Sequence, residues 1–322
     1  MRSSQVVSQL LRVSDVTNRR SLRRRQFMDR AAEALILAFA SIAIAIILLI
    51  FVYVGREALP LLWENVDGAS LASTVTPPAD WQPVSANPRY NVIPLILGTL
   101  KVTFIAMLFG TPLALAAALY TSEFAPVRLR EWIKPSVELL AGIPSVVMGF
   151  FALIVLASWL QEQFGLEFRL NALNAGIALA LAIIPIIYTV SEDALSAVPN
   201  HYREASLALG ASKIQTAVRV VFPAAMPGIG AAMILGFGRA IGETMIVLMA
   251  SGNAAYMSLS PVVSTRTLSA TVAAELGEVV FGGGHYRILF FLGTLLFVVT
   301  SVLNWAGDRY NRRMRMKLFG AE

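Results

Sequence analysis

The sequence predicts an all-α membrane protein with six transmembrane helices. Of its 322 residues, 57% are hydrophobic and only 14% are Asp, Glu, Lys or Arg. Soluble domains average about 25% charged residues, and a helix that crosses a bilayer needs about 20 mostly apolar residues in succession. Six stretches of the chain meet this requirement. They lie near 34–54, 95–119, 136–160, 172–190, 227–250 and 288–307.

Three of these stretches carry features that bear on their geometry. The first, ALILAFASIAIAIILLIFVYV, has no charged residue and is the clearest of the six. The second contains Lys101, close enough to one end for its amine to extend to the lipid headgroups. The fourth is short and contains Pro185, which predicts a kink in that helix.

The positions of the basic residues predict how the chain crosses the membrane. With the N-terminus inside, nineteen Lys and Arg lie in cytoplasmic segments and five in outside segments. Because cytoplasmic segments carry the excess of Lys and Arg, we expect both termini in the cytoplasm. The first 30 residues contain eight Arg and no cleavage-site pattern, which favours a retained tail over a signal peptide. The net charge of +6 therefore reflects the basic residues of the cytoplasmic segments, and we expect no nucleic-acid partner.

The same assignments predict the domain organisation. We expect a basic cytoplasmic tail at 1–33, a first transmembrane helix at 34–54, an extracytoplasmic loop at 55–91, a membrane core at 92–307 and a basic cytoplasmic tail at 308–322. The core would hold the other five helices and a cytoplasmic loop at 191–226. The extracytoplasmic loop contains TVTPPADWQPVSANP, which has too many prolines for a helix.

Several kinds of chemistry are excluded by residues that the sequence lacks. It has no cysteine, so it can form neither disulfides nor thiolate metal sites, and it has no cysteine nucleophile. His201 and His285 lie far apart in the sequence, and neither has the spacing of a metal ligand. The apolar stretches contain no Ser–His or paired-Asp arrangement. We therefore expect no catalytic residues and no metal, and we do not expect an enzyme.

The cytoplasmic loop predicts two short helices joined at a glycine. Residues 199–223 are PNHYREASLALGASKIQTAVRVVFP. Asn200 is a favourable N-cap for the first helix, and Gly210 suits the left-handed position that follows it. Ser212 can cap the second helix, and Pro223 is expected to end it. Three roles fit this arrangement: a DNA-binding helix-turn-helix, a structural hairpin, or a docking element for a cytoplasmic partner. Tethering between two membrane spans argues against DNA binding.

This loop resembles the EAA loop of ABC-transporter permeases. The family pattern is Glu-Ala-Ala, three residues, Gly, nine residues, Ile, one residue and Leu-Pro. The positions that match it are Glu204, Ala205, Gly210 and Pro223, while Ser206 replaces the second Ala, Val220 replaces Ile and Phe222 replaces Leu. The resemblance implies a type 1 (MetI-like) permease core and a loop that inserts into a cleft of an ATP-binding subunit. The chain has no Gly-Lys dipeptide and hence no Walker A loop. We therefore expect no cofactor to bind this chain directly, and we expect ATP to bind a partner subunit.

Further segments are similar to the permeases of phosphate (Pst) importers, to the PstC branch more than to the PstA branch. They are AVPNHYREASLALGAS, GIPSVV, GRAIGETM and the MASGNA that follows it. This resemblance implies a phosphate importer in the bacterial inner membrane. Its implied partners are a PstA-like second permease, two copies of an ATP-binding subunit and an extracytoplasmic phosphate-binding protein. The alternatives are a permease for another oxyanion, such as molybdate or sulfate, and an ATP-independent channel or carrier.

The fifth stretch carries two formal charges, Arg239 and Glu243, in an otherwise small and apolar sequence. Residues four apart share one face of a helix, and a charge facing lipid is costly. That face must therefore point to protein or to an aqueous cavity. Small residues recur every four positions along the same stretch and predict a closely packed neighbouring helix. They are Gly228, Ala232, Gly236 and Ala240, with Gly238 and Gly242 as a second close-approach pair.

Two roles for Arg239 and Glu243 stay open at this point. They could form an internal ion pair that braces the helices. Alternatively, Arg239 attracts an anion along a transport path, and Glu243 holds the guanidinium and moderates its affinity. The family resemblance favours the path. Ser145, after the proline of GIPSVV, is a further candidate for the path if that segment breaks the third helix, although a plain kink fits equally well.

Overall fold

The computed structural model describes the backbone of residues 2–66 and 68–319, and the side chains of 26–66, 68–314 and 316. The described chain is almost entirely helical, which confirms the predicted all-α fold. Its contacts divide it into two compact units, residues 1–53 and residues 54–322, which are described separately.

The first unit is a single helix. Helix α1, Arg2–Ala58, begins in the expected basic tail and continues through the first apolar stretch into the start of the second unit. The sequence contains no Gly or Pro between positions 2 and 54, so nothing in the local sequence interrupts the helix. The expected boundary at residue 33 is therefore a change of composition within one helix.

The extracytoplasmic loop predicted at 55–91 is irregular, as its prolines indicate. Its regular structure consists of two 3₁₀ turns and one short antiparallel hairpin. The turns are Leu59–Leu62 and Ala72–Thr74, and the strands are β1, Trp81–Gln82, and β2, Arg89–Tyr90. Trp81 and Tyr90 face each other in the hairpin and are both buried, in an apolar cluster that the loop shares with the helices Ile93–Glu123, Leu268–Glu275 and Gly284–Phe319.

Eleven further helices follow in the described residues. They are α2, Ile93–Glu123; α3, Val127–Ala141; α4, Ser145–Phe151; α5, Ala157–Phe164; α6, Ala172–Ser196; α7, Asn200–Ala208; α8, Lys213–Thr216; α9, Phe222–Gly242; α10, Met245–Ala250; α11, Leu268–Glu275; and α12, Gly284–Phe319. A π-helical segment joins α4 to α5, and a second joins α8 to α9. Six segments of the described chain are long and apolar enough to cross a membrane, which confirms the predicted number: Gln26–Leu62, Ile93–Glu123, Ser145–Phe164, Ala172–Ser196, Lys213–Gly242 and Gly284–Met314.

The third span begins later than the sequence predicts. The apolar stretch at 136–160 is divided between α3 and the α4–α5 segment, and Pro144 occupies the N-cap of α4. A proline has no N–H to donate and disfavours helical backbone at the residue before it. The chain therefore turns at 142–144, and α3 is a separate helix.

The fifth span is displaced towards the N-terminus relative to the predicted 227–250. Pro223 does not end the second short helix of the cytoplasmic loop, because α8 continues through the π-helical segment Ala217–Val221 into α9. Pro223 therefore lies inside a continuous helix, and the wider π-helical turn before it gives its ring room. At its other end the span stops at Gly242.

The core of the second unit is formed mainly by α2, α6 and α9. The predicted stripe of small residues packs against α6: a Cβ atom at Gly228 would overlap Ala194, and one at Gly236 would overlap Ile187. The close-approach prediction is confirmed for this stripe. It is wrong for Gly242, because a Cβ there would meet no atom within 4 Å.

Lys101 lies in the second span, and its side chain contacts the segment between α10 and α11. Its Nζ donates hydrogen bonds to the backbone oxygens of Ser258, at 2.9 Å, and Ser260, at 3.1 Å. The amine therefore holds the segment between α10 and α11 against α2. Whether the amine also lies at the level of the lipid headgroups stays a prediction.

Candidate functional site

The stretch GRAIGET contains the end of α9. The helix stops at Gly242, and Glu243 has extended backbone, with φ −68° and ψ 133°. Its carbonyl oxygen accepts a hydrogen bond of 2.7 Å from Oγ of Ser269 in α11. Carbonyl groups at helix ends need partners from outside the helix, so Ser269 stabilises the break. The expectation that one continuous helix carries Arg239 and Glu243 is wrong, because the break falls between them.

The two charged residues at this break have different surroundings. The Arg239 side chain is exposed, whereas Glu243 is half-buried beside a small cleft. That cleft is also lined by hydroxyl-bearing residues of α2 and of the segment around α11, namely Thr99, Thr103, Thr267 and Ser269. Among the described residues, neither Arg239 nor Glu243 has a side-chain hydrogen bond or ion pair, and no bond joins the two. The guanidinium is thus free to interact with a group that is not part of this chain.

Ser145 lies at the start of α4, immediately after the turn at Pro144. The expected break at GIPSVV is therefore present. The Ser145 side chain is half-buried, and the structure gives it no hydrogen-bond partner among the described residues. Its role in a path stays a prediction.

The cytoplasmic loop adopts the predicted pair of helices joined at a glycine. Gly210 has φ +82°, in the left-handed region that only glycine adopts without strain. The Ser212 hydroxyl accepts a hydrogen bond from the Gln215 N–H, and the Gln215 side chain accepts one from the Ser212 N–H. This reciprocal capping box fixes the start of α8. The first helix begins one residue earlier than predicted, since Pro199 and not Asn200 is its N-cap.

The residues of the EAA pattern fall into an inward and an outward set. Ser206 is buried, and its hydroxyl forms a 2.9 Å hydrogen bond with that of Thr216, which ties α7 to α8 across the elbow. Val220 and Phe222 are half-buried. The outward residues are Glu204, Ala205, Gly210 and Pro223. The pattern therefore combines a rigid interior with an exposed face.

Large apolar side chains are exposed around this elbow. Leu209 is 90% exposed and Ile214 is 66% exposed, with Leu207 and Val218 close by in sequence. A solvated loop gains nothing from presenting such side chains to water, and contiguous exposed apolar surface marks a site of interaction.

Arg203 anchors the first helix of the loop to the membrane core, a contact that sequence reasoning missed. It forms an ion pair of 2.7 Å with Glu123 at the end of α2, and it donates to the backbone oxygens of Val198 and Leu195. Both side chains are largely buried. The available signal was a pair of opposite charges, each next to the end of an apolar stretch, but 80 residues separate them.

A second ionic contact holds α3 against α6. Lys134 lies 3.0 Å from both Glu192 and Asp193, and hydrogen bonds with these two carboxylates, Glu192 first, raise the pKa of the Lys134 amine. Glu192 is buried, so its charge depends on this partner. The contact fixes α3 beside the helix that leads into the cytoplasmic loop.

On the opposite side of the core, Glu275 at the end of α11 joins three segments. Its carboxylate accepts hydrogen bonds from Trp81 Nε1 and from His285, and it forms an ion pair with Arg266. Burial alone would raise the pKa of Glu275, but the hydrogen bond to His285 and the charge of Arg266 lower it overall. The Trp81 indole thereby connects the loop between α1 and α2 to this cluster.

Comparisons with known proteins agree with this architecture. A family model described as "Binding-protein-dependent transport system inner membrane component" matches residues 110–316. The probable ABC transporter permease protein YqgH of Bacillus subtilis is 34% identical over 281 residues, which are 87% of this chain and 90% of that protein. The phosphate transport system permease protein PstC of Xylella fastidiosa is 31% identical over 282 residues, 82% of this chain and 83% of that protein.

Solved structures show the same fold at low sequence identity. The MetNI methionine ABC transporter in an inward-facing conformation matches with a TM-score of 0.55 and 21% identity, over 69% of this chain and 95% of that chain. A bacterial alginate ABC transporter in complex with a periplasmic protein matches with a TM-score of 0.59 and 18% identity, over 86% and 94% of the two chains. These matches confirm the predicted MetI-like permease fold.

Proposed function

The chain belongs to the family of binding-protein-dependent transport system inner membrane components, and from that premise we propose that it forms the translocation path of an ATP-driven phosphate importer. Membership makes it a multi-pass permease subunit of an ABC transporter and a transport component, not a catalytic enzyme. Several relatives about as similar as PstC of Xylella fastidiosa are also named phosphate permeases, including those of Mesorhizobium japonicum and Haemophilus influenzae.

The observation that carries the phosphate assignment is the exposed Arg239 at the end of α9. It places a guanidinium, without a partner among the described residues, on an otherwise apolar helix next to a break in that helix. A charge in such a segment is costly unless it faces water or a partner of opposite sign. Phosphate is an anion whose oxygens match the planar fork of a guanidinium with two parallel hydrogen bonds.

Glu243 gives the proposed path a means of release. Its carboxylate lies just beyond the break and has no partner among the described residues. An anion bound by Arg239 alone would leave slowly, and a nearby negative charge weakens that binding. Ser145 is assigned to the same path as a hydroxyl donor at the turn between α3 and α4. Both assignments follow from the proposal for Arg239.

The exposed elbow of the cytoplasmic loop is the proposed docking site for a separate ATP-binding subunit. Its apolar side chains, Leu209 and Ile214 foremost, suit insertion into a groove of a partner. Solved importers of this fold include a complex with a periplasmic protein. For this chain we propose two ATP-binding subunits, a PstA-like second permease and an extracytoplasmic phosphate-binding protein, assembled in a bacterial inner membrane.

Reconstitution into vesicles tests the function directly. We expect phosphate uptake when the chain is combined with its candidate partner subunits, and none when ATP or the ATP-binding subunit is omitted. Sulfate and molybdate at equal concentration serve as competitors. If the vesicles instead take up sulfate or molybdate, and added phosphate has little effect on that uptake, the permease would be assigned to that anion. Transport by the chain alone without ATP would favour the channel or carrier alternative.

The orientation of the loop can be tested because the native chain has no cysteine. Val84 in the loop between α1 and α2 is 93% exposed, and Leu209 is 90% exposed. We expect Val84→Cys to react with an impermeant thiol reagent applied outside the cell, and Leu209→Cys to react only after the cytoplasmic side is opened. Labelling of Leu209→Cys from outside would exclude docking of a cytoplasmic subunit at this elbow.

A further inference from the structure

An apolar groove of about 430 Å³ lies between α2, α9 and α12 and belongs neither to the proposed path nor to the docking elbow. Its lining includes Met107, Met226, Met233, Phe237, Leu303 and Met314. Methionine side chains are flexible and polarisable, so they adapt to a flexible apolar ligand better than branched side chains do. The walls of this groove therefore suit a hydrocarbon chain.

The groove opens on the side of α9 that faces away from Arg239. At about 100° per residue, Met233 and Phe237 lie roughly 120° and 160° around the helix from Arg239. A second permease that shares the path must approach from the Arg239 side. The groove therefore faces away from the proposed path.

One end of the groove lies beside basic residues of α12. Helix α12 contributes Tyr310 and Met314 to the lining, and Arg313 lies one turn from Tyr310 along the same helix. Arg313 is exposed and has no partner among the described residues. It belongs to a run of five basic residues between positions 309 and 317. Basic clusters beside apolar clefts at the end of a membrane helix bind the headgroups of anionic lipids.

An unsatisfied acceptor lies at the same end. The Asn311 Oδ1 atom is buried between α12 and Gly230 of α9, and it has no hydrogen-bond partner. Asn311 also lines the groove, so a molecule bound there could supply the missing donor. We propose that the groove binds a phosphatidylglycerol molecule, with an acyl chain against the methionines, the phosphate near Arg313 and a glycerol hydroxyl donating to Asn311.

Lipid retention measured by native mass spectrometry tests this site. The full chain is purified in mild detergent after incubation with vesicles of equal parts phosphatidylglycerol and phosphatidylethanolamine. We expect one retained phosphatidylglycerol and no retained phosphatidylethanolamine. Arg313→Gln should lower the affinity about fivefold, because it removes one cation from the headgroup site. Arg128→Gln, which removes an exposed arginine from α3, is the matched control and should leave retention unchanged.

Two further measurements separate the headgroup from the groove. Met233→Trp should fill the groove and abolish lipid retention while the protein remains folded. If that variant is not recovered, a photo-crosslinking residue is introduced in place of Leu303. It should yield an adduct with the mass of the lipid. Equal retention of the two lipids, wild-type retention by Arg313→Gln, or a crosslink to a polypeptide would each overturn the proposal. The last result would instead assign the groove to a partner helix.

Discussion

Replacing Arg239 with glutamine is expected to lower phosphate uptake about 10- to 100-fold, because charge-assisted hydrogen bonds to an anion contribute about 1.5–3 kcal/mol. Assembly should be unaffected, since the Arg239 side chain is exposed and makes no contact of its own within the described residues. Arg239→Lys keeps the charge but not the planar fork, so it should be impaired as well. The measurement is ATP-dependent phosphate uptake, normalised to the amount of assembled transporter.

The double variant Arg239→Gln with Glu243→Gln decides between a path and an ion-pair brace. If the two residues brace the assembled transporter, neutralising both should restore what neutralising either one loses. If Arg239 attracts phosphate, the double variant should assemble and still fail to transport. Near-normal uptake by this variant would refute the assignment of Arg239 to the path. Arg128→Gln is the control for loss of a positive charge elsewhere on the chain.

Replacing Gly210 with valine is expected to abolish both transport and substrate-stimulated ATP hydrolysis. A β-branched residue at φ +82° is strained by about 1–2 kcal/mol or more, which lowers the population of the native elbow by roughly tenfold or more. A Cβ at Gly210 would meet no atom within 4 Å, so the backbone angle alone is responsible. Membrane insertion should persist while uptake and substrate-stimulated ATP hydrolysis fall together.

Two other substitutions control for this effect. Gly210→Asn should retain most activity, because asparagine tolerates the left-handed region. Gly277→Val introduces the same side chain at an open position whose φ is not positive, and uptake should be unchanged. Normal uptake by Gly210→Val would show that docking does not depend on the glycine elbow.

The features predicted well from the sequence are those set by local rules. Gly210 and Ser212 follow from backbone conformation and capping, which involve only neighbouring residues. The stripe that contains Gly228 and Gly236 follows from helical periodicity, because a neighbour must lie wherever small residues align. The six spans follow from apolar length. None of these predictions required knowledge of which segments meet in space.

The features that were missed depend on contacts between distant segments. Nothing in the local sequence ends α9 at Gly242; the break is stabilised by Ser269, which lies 26 residues further along the chain. The partner of Arg203 is Glu123, and no local pattern links the two. The separate α3 was missed for another reason. Apolar length was counted across 142–144, and this hid the turn at Pro144.

The π-helical segment before Pro223 has a mechanical consequence. Because the helix is not interrupted there, Lys213–Gly242 is a single span of 30 residues, about 45 Å long. One end begins at the elbow proposed to dock the ATP-binding subunit, and the other ends at the break beside Glu243. The second end lies about 10 residues, or roughly 15 Å, beyond the midpoint of the contacts at Gly228 and Gly236, so a tilt of about 10° around that midpoint would displace it by roughly 3 Å. The helix is thus a lever, whose pivot would be its close packing against α6 through Gly228 and Gly236.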